Sequence, residues 1–256
     1  MIYKVKPNLE VILTPSLLPL YHLQDKIVVV IDILRATTSI CVAFQTGVKE
    51  IIPISTPEEC ATFKAKGFLC AAERNAIKVE GFDMGNSPFE FSEPTLKGRS
   101  IAFTTTNGTK AIKLSQQSGA TQIVIGSFLN LNFLCKWLIS QEKEVVLLCA
   151  GWKDKVNLED TLYAGAVIKN IKHHFQMDCD SGIMAESLFL VSENNLETIV
   201  RQSSHAKRFQ KLNSKTDDVK FCLQMNTINL IPKMEGEYLT LGKGTYTSAV
   251  PVDSAS

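Results

Sequence analysis

Aliphatic runs alternate along this chain with polar loops and with segments of helical pattern. The clearest run is 27–31, five consecutive β-branched residues. It predicts a strand buried on both faces, because a strand with one solvent-exposed face would alternate apolar and polar residues. Similar runs predict strands at 9–13, 49–54, 68–72, 99–103, 122–126 and 144–149. Helical segments follow most of these runs, so we predict an α/β fold, a three-layer α/β/α sandwich with a mainly parallel sheet built from repeated strand-loop-helix units.

The segment at 99–126 resembles the segment at 27–54. Thr37 aligns with Thr109 and Gly47 with Gly119, in each case 72 positions apart. The similarity indicates either an internal duplication or two ordinary strand-helix-strand units of equal length. If the strands are parallel, the polar loops of both units lie at the same edge of the sheet.

After residue 172 the pattern becomes less regular. Residues 181–191 and 204–212 are typical of helices, and 221–231 are typical of a strand that ends at Pro232. We predict an α/β core over residues 1–172 that carries the acidic and phosphate-binding loops. A C-terminal α/β part over 173–242 would pack on this core, and 243–256 would form a loosely ordered tail.

Composition narrows the classes of protein to which this chain could belong. Its 256 residues are 45% hydrophobic and its formal net charge is +1, so we expect neither nucleic acid nor a membrane surface as a partner. Seven cysteines, an odd number without any Cys-x-x-Cys pair, predict reduced thiols. The first residues lack a signal-peptide pattern, and no apolar run could cross a bilayer. We therefore expect a cytoplasmic protein, and its sequence leaves open whether it is a monomer or a homo-oligomer.

Polar side chains follow two of the predicted strands. The first strand is followed by Asp32, Arg35, Thr37 and Thr38, and the corresponding later strand by the polar segment 104–109. Free backbone N–H groups at the start of a helix favour an anion, which indicates a phosphate site. An alternative stays open, in which Asp32 and Thr38 only cap the helix and Arg35 pairs with a surface acid.

Acidic residues in these loops and in the long polar loop 73–90 indicate a hard metal ion. Glu73, Asp83 and Asp160 add to Asp32, while no cluster of His and Cys has metal-site spacing. Carboxylate oxygens without such a cluster favour magnesium. A phosphate would share its charge between the metal, an arginine and backbone N–H groups, as phosphoryl transfer requires. The Cys-x5-Arg loop, the Walker loop and the Gly-x-Ser-x-Gly elbow are absent from the sequence.

Several segments together resemble the 2-phosphosulfolactate phosphatase family. They are Asp32-Ile-Leu-Arg-Ala-Thr-Thr, Glu73-Arg, Gly81-Phe-Asp-Met-Gly-Asn-Ser-Pro-Phe-Glu, Thr105-Thr-Asn-Gly-Thr, Cys149-Ala-Gly, Glu159-Asp and Ala164-Gly. Asn75 departs from the glycine expected after Glu-Arg, although asparagine also tolerates a left-handed backbone. The resemblance implies a magnesium-dependent phosphatase that hydrolyses 2-phospho-3-sulfolactate to 3-sulfolactate and phosphate, a step in coenzyme M biosynthesis in methanogens.

The residues suggest how such a reaction would proceed. We expect the catalytic residues to be Asp32, Arg35, Glu73 and Asp160, and magnesium to bind two or more of Asp32, Glu73, Asp83 and Asp160. Arg35 and the loop 105–109 would hold the phosphoryl oxygens while water, or Asp32 itself, attacks. The other expected contacts with a small anionic phosphoester are Thr37, Thr38, Arg74, Asn86, Ser87, Thr105, Thr106, Asn107, Gly108, Thr109, His205 and Arg208.

Two alternative functions fit the same residues. One is the same chemistry on another small acidic phosphoester. The other is a binding protein for phosphate esters that does not catalyse their hydrolysis. Release of phosphate distinguishes the second alternative from the first.

Overall fold

The computed structural model describes residues 5–211 and 216–242, so the predicted tail at 243–256 lies outside the described residues. The strands within them are β1 (Leu9–Ile12), β2 (Ile27–Ile31), β3 (Glu50–Pro53), β4 (Leu69–Arg74), β5 (Ile77–Lys78), β6 (Ser100–Thr104), β7 (Gln122–Gly126), β8 (Val145–Cys149), β9 (Lys233–Glu235) and β10 (Tyr238–Thr240). The α-helices within them are α1 (Ala36–Thr46), α2 (Pro57–Thr62), α3 (Pro88–Phe91), α4 (Gly108–Gln117), α5 (Leu131–Gln141), α6 (Leu158–Ile171), α7 (Asp180–Ser192), α8 (Leu196–Arg201), α9 (Ala206–Lys211) and α10 (Asp218–Cys222). None of these helices is both long and apolar enough to cross a membrane.

The ten strands of the described residues form one sheet in the order β1-β8-β2-β7-β9-β10-β3-β6-β4-β5. The pairs β1–β8, β8–β2, β2–β7, β3–β6 and β6–β4 are parallel. The antiparallel pairs involve the hairpin β9–β10 and the short strand β5. The predicted α/β sandwich with a mainly parallel sheet is therefore confirmed.

Strand β2 lies in the interior of the molecule, between β7 and β8, and all five of its residues are buried. Its side chains alternate between two hydrophobic cores. Val29 packs in the core formed with α5, α6 and α7, whereas Val28 and Val30 pack in the core formed with α1 and α4. Apolar β-branched residues on both faces are what a strand covered by helices on two sides requires. The loop that begins at Asp32 therefore starts from a rigid, enclosed strand.

The strand predicted at 221–231 is wrong. Helix α10 ends within this segment and the remainder has no regular structure, although Ile228 and Ile231 bury their side chains. This burial accounts for the apolar pattern that resembled a strand. The sheet instead continues through the hairpin β9–β10, whose turn contains Gly236 with φ +62°, and which lies between β7 and β3.

The two similar strand-helix-strand units, β2-α1-β3 and β6-α4-β7, pair crosswise. Strand β2 lies beside β7 and β3 beside β6, and α1 and α4 begin 72 residues apart, as in the sequence. Three antiparallel pairings join β7 to β3 through the hairpin, so the two halves of the sheet run in opposite directions. The usual twist of about 20–25° per strand would amount to roughly 100–125° over the five steps from β2 to β6. We attribute the meeting of the loops that follow these two strands to this rotation.

Candidate active site

A cavity opens where β2 ends, and we call it the Asp32 cavity. Its lining comes from several separate segments of the chain: Asp32, Leu34, Arg35, Glu73, Asn75, Ala76, Asn86, Thr105, Thr106, Asn107, Trp152, His205 and Arg208. Nine of these thirteen residues are ones that the sequence predicts to be catalytic or substrate-binding. The free volume is only about 20 Å³, room for about one water molecule. Residues from separate segments of the chain thus meet around one small cavity.

The surroundings of Asp32 change the ionisation of its carboxyl group. Only 4% of its surface is exposed. Burial raises the pKa of Asp32 to about 6, although His205 close by lowers it. The carboxylates of Glu73 and Glu159 raise this pKa further. A carboxyl group that titrates near neutrality can act as a general base at physiological pH.

Glu159 is a candidate site residue that the predicted catalytic and metal-binding sets omit. It is fully buried in the first turn of α6, and its Oε1 lies 2.7 Å from Nδ1 of His205. Its Oε2 is buried without a hydrogen-bond partner among the described residues. Glu159 and Asp160 are adjacent and so differ by about 100° around the helix, which lets only one of them turn toward His205. The acidic pair was the available signal, but the sequence did not show which acid does so.

Asp160 binds backbone groups and does not line the Asp32 cavity. Its Oδ1 accepts a hydrogen bond from the Ile33 N–H at 2.9 Å, and its Oδ2 accepts one from the Gly151 N–H at 3.1 Å. Burial, with the nearby carboxylates of Asp32 and Glu159, raises the pKa of Asp160 well above its usual value. Both oxygens thus hold the loops that follow β2 and β8 together, which makes Asp160 a positioning residue in this structure.

Arg35 lines the Asp32 cavity and is anchored by a buried ion pair. Its Nη1 donates to Oδ2 of Asp218, and its Nη2 donates to the Ala76 carbonyl at 3.2 Å. Asp218 also accepts hydrogen bonds from the hydroxyls of Ser87 at 2.9 Å and Thr216 at 3.0 Å. This cluster joins α10 to the loops after β2 and β5. Ser87, a predicted substrate contact, therefore helps to hold the partner of Arg35 and is not part of the lining.

Arg35→Met should lower the free energy of unfolding by about 3–5 kcal/mol, because it would leave Asp218 as a buried charge without its cation. The side chains of this pair are 9% and 3% exposed. Arg201→Met is the matched control, since its pair with Asp217 is 29% and 49% exposed and such pairs contribute about 0–1 kcal/mol. Urea unfolding followed by circular dichroism measures both losses. Equal losses would contradict the anchoring role of Asp218.

The loop after β6 closes one side of the Asp32 cavity. The Thr105 N–H donates to Oγ1 of Thr109, and the Thr109 N–H donates to Oγ1 of Thr105, each at 3.2 Å. A Cβ at Gly108 would lie 2.6 Å from Cβ of Ala36 and 2.8 Å from Oδ2 of Asp32. Only glycine therefore allows this loop to approach Asp32 so closely. Thr105, with Thr106 and Asn107, lines the cavity, while Gly108 and Thr109 shape the loop behind it.

Trp152 and Arg208 form another part of the lining. The guanidinium carbon of Arg208 lies 3.3 Å from the centre of a Trp152 ring, a cation–π contact. The ring of His205 lies 6.4 Å from that of Trp152. Trp152 fixes the position of a cationic group in the cavity, and it was not among the predicted site residues. Its place in the polar loop after a predicted strand was the signal that could have found it.

Four other predicted site residues lie outside the lining of the Asp32 cavity. Asp83, a predicted metal ligand, accepts the Cys70 N–H through Oδ2 at 2.8 Å. Arg74 donates to the hydroxyl of Thr104 at 3.1 Å and to the Ser55 carbonyl at 3.3 Å. The hydroxyls of the other two stabilise the loop after β2: Thr37 accepts the Asp32 N–H at 3.1 Å, and Thr38 donates to the Ile33 carbonyl at 3.0 Å.

The oxygen atoms around the Asp32 cavity are of the carboxylate and amide types that bind magnesium. Asp32 and Glu73 line the cavity, and Oε1 of Glu73 accepts the Ala76 N–H. The Oδ1 of Asn86 and the Oε2 of Glu159 are buried acceptors without a partner in the described part of the chain. No three His, Cys, Asp or Glu side chains in that part lie close enough together to hold a metal ion. Magnesium commonly takes only one or two carboxylates and completes its shell with water and phosphate oxygens.

Comparison with known proteins gives one consistent result. A family model described as 2-phosphosulpholactate phosphatase matches residues 12–237, a range that contains the whole lining of the Asp32 cavity. A probable 2-phosphosulfolactate phosphatase of Caldanaerobacter subterraneus subsp. tengcongensis is 39% identical over 219 residues, which cover 83% of this chain and 89% of the relative. A protein of the same description from Symbiobacterium thermophilum is 37% identical, and the match covers 87% of this chain and 97% of the relative. Another from Thermotoga petrophila is 39% identical, and the match covers 84% of this chain and 92% of the relative.

Proposed function

This chain belongs to the 2-phosphosulfolactate phosphatase family, and we propose that it is a magnesium-dependent phosphoric monoester hydrolase that converts 2-phospho-3-sulfolactate to 3-sulfolactate and phosphate. The observation that supports this activity best is the surroundings of Asp32. A buried carboxyl group with a pKa of about 6 shares one cavity with two arginines and a histidine. This set can bind an anionic ester and move protons during its hydrolysis.

The charges around the Asp32 cavity favour participation of a divalent cation. Arg35 and Arg208 contribute two positive charges to the lining, while Asp32, Glu73 and the adjacent Glu159 contribute carboxylates. The proposed substrate adds a phosphate of about −1.5 to −2, together with a carboxylate and a sulfonate. Such a complex would hold an excess of negative charge in a buried site, which is costly unless a cation compensates it.

We place magnesium on Asp32 and Glu73, with Oε2 of Glu159 and Oδ1 of Asn86 as further oxygen donors. When bound, it would supply positive charge to the phosphoryl oxygens. Arg35, which Asp218 holds in position, would contact the phosphoryl group. Arg208, stacked on Trp152, would bind one of the other two anionic groups of the substrate.

Asp32 and His205 would handle the protons of the reaction. A water oxygen forms a bond to phosphorus, the bond between phosphorus and the ester oxygen breaks, and the water gives up one proton to the carboxylate oxygen of Asp32 that would not bind the metal. His205 gives a proton from Nε2 to the departing ester oxygen, which becomes the hydroxyl of 3-sulfolactate. Oε1 of Glu159, 2.7 Å from Nδ1, would hold the imidazole ring in position for this donation. Trapping of a phosphorylated Asp32 would instead assign this residue as the nucleophile.

Phosphate release from racemic 2-phospho-3-sulfolactate should fall by at least about 100-fold in EDTA and return when magnesium is added in excess. A panel of other phosphorylated hydroxy acids is assayed in parallel. A higher kcat/KM on one of these would replace the proposed substrate and leave the chemistry unchanged. Tight binding of the esters without any release of phosphate would contradict hydrolysis and assign the chain as a binding protein. Full activity in EDTA would contradict the role of magnesium.

A further inference from the structure

A second cavity lies on the other side of the loop after β6, and we call it the Lys113 cavity. Arg74, Lys110 and Lys113 line it together with Thr105 and Thr106. Its volume is about 290 Å³, compared with about 20 Å³ for the Asp32 cavity. Three residues with cationic side chains therefore contribute to the lining of a space large enough for a small hydrated ion. Among the described residues, no acidic side chain contributes to its lining.

The positive charges of this cavity are only partly compensated. The guanidinium of Arg74 is held by neutral oxygens, the carbonyls of Glu73 and Ser55 and the hydroxyl of Thr104. These bonds fix its position without neutralising its charge. Lys113 is partly buried and makes no ion pair with a described residue. A cleft lined by charges of one sign concentrates its field and attracts counterions.

We propose that the Lys113 cavity is a second anion site, which binds a tetrahedral oxyanion, first of all inorganic phosphate. This choice of ion rests on the proposed function, because phosphate is the product that the reaction would release beside it. The hydroxyl of Thr106 and the ammonium group of Lys113 supply donors of the type that bind phosphate oxygens. Arg74, which the sequence predicts to be a substrate contact, belongs to this second site.

A ligand in the Lys113 cavity should change the activity of the Asp32 cavity. Thr105 and Thr106 line both cavities. A ligand that binds their loop in one cavity therefore changes the position of the same loop in the other cavity. Lys110 lines the second cavity and binds both carboxylate oxygens of Asp154, at 2.7 and 2.9 Å. Asp154 lies in the tight turn that begins at Trp152. A phosphate that competes for Lys110 would loosen this turn, so phosphate should inhibit beyond simple competition with the substrate.

Direct binding is the first test, with inorganic phosphate as the probe. Calorimetric titration of the full chain should show two phosphate sites. Lys113→Met should raise the dissociation constant of one of them at least tenfold and leave the other unchanged. Lys136→Met is the matched control, because Lys136 is an exposed lysine that lines neither cavity, and it should keep both sites. A single site in all three proteins, or equal losses in the two variants, would overturn the proposal.

Kinetics give the second test, which stands apart from the calorimetry. Phosphate should inhibit the wild type with a competitive and an uncompetitive component. Lys113→Met should weaken the uncompetitive component at least tenfold while kcat and KM without phosphate change less than twofold. Purely competitive inhibition in both proteins would overturn the proposal. If the chain hydrolysed no phosphoester, calorimetry would still decide the second site. Methanesulfonate is titrated in parallel, and tighter binding than phosphate at the Lys113-dependent site would overturn phosphate as its ligand.

Discussion

Asp32→Asn should lower kcat for phosphate release by about 10²–10⁴-fold, the range that a positioned general base contributes. Asparagine is close to aspartate in size and still accepts hydrogen bonds, so the lining of the Asp32 cavity should keep its shape. It cannot take up the proton of the attacking water, and it contributes no charge to a bound cation. Steady-state assays with saturating magnesium measure this loss. A variant that keeps more than a tenth of the wild-type kcat would contradict the role of Asp32.

The same substitution should stabilise the metal-free protein at neutral pH. The pKa of Asp32 is about 6 in the folded chain against a usual value of 3.8, so the folded state holds its proton more tightly than the unfolded state. As pH rises from about 4 to 6, the unfolded state is already deprotonated, so the free energy of unfolding decreases, and it stays lower above this window. The shift corresponds to roughly 3 kcal/mol. The asparagine of Asp32→Asn has no carboxyl proton to lose, so the free energy of unfolding of this variant should lack this decrease between about pH 4 and pH 6.

Urea unfolding in EDTA at pH 4.5 and pH 7 checks this expectation. The stability of Asp32→Asn relative to wild type should be greater at pH 7 than at pH 4.5. Asp178→Asn is the control, because Asp178 is exposed and its replacement should give the same small difference at both pH values. A difference for Asp32→Asn that does not change with pH would contradict the burial of a charged carboxylate at this position.

Gly108→Ala should lower kcat/KM by about 100-fold, the loss expected when a reacting group is displaced by about 1 Å. The added methyl group would lie 2.8 Å from Oδ2 of Asp32 and 2.6 Å from Cβ of Ala36. Either the carboxylate or the loop after β6 must then move. Overpacking of this kind also costs about 1–3 kcal/mol of stability.

Gly98→Ala is the control for this substitution. A Cβ at Gly98 would meet no atom within 4 Å, and the cost arises only from its φ of +74°, about 1–2 kcal/mol. Its kcat/KM should stay within twofold of wild type. If both glycine variants lost activity in proportion to their loss of stability, the close approach of Gly108 to Asp32 would have no catalytic meaning.

The sequence predicted seven of the ten strands in the described residues, because each of these seven depends on a local pattern. A run of five apolar residues such as Ile27–Ile31 forms a strand that must be covered by helices on both faces. The hairpin β9–β10 was missed because each of its strands has only three residues. Its two-residue turn at Gly236 was the local signal for it. The apolar residues at 221–231 gave a stronger pattern although they pack as irregular chain.

The candidate site was predictable in residue type but not in orientation. Loops at the ends of predicted strands were expected to converge, and the structure places nine of the predicted residues around one cavity. Sequence alone could not decide that Glu159 turns toward His205 while Asp160 binds backbone N–H groups, since neighbouring positions on a helix differ only in direction. Nor could it pair Arg35 with Asp218, which lies 183 positions away. The division into residues 1–172 and 173–242 stays a prediction, as does the metal.

The position of the hairpin β9–β10 has a consequence for biosynthesis. Strands β7 and β3 are both complete long before the ribosome reaches residue 233, yet the strands that connect them come from residues 233–240. The edges of β7 and β3 therefore lack these partner strands until residues 233–240 have been synthesised. Open edges are templates for pairing with other chains. A transcript cut short before codon 233 should leave those edges uncovered, so its product should aggregate even though the Asp32 cavity is already encoded in full.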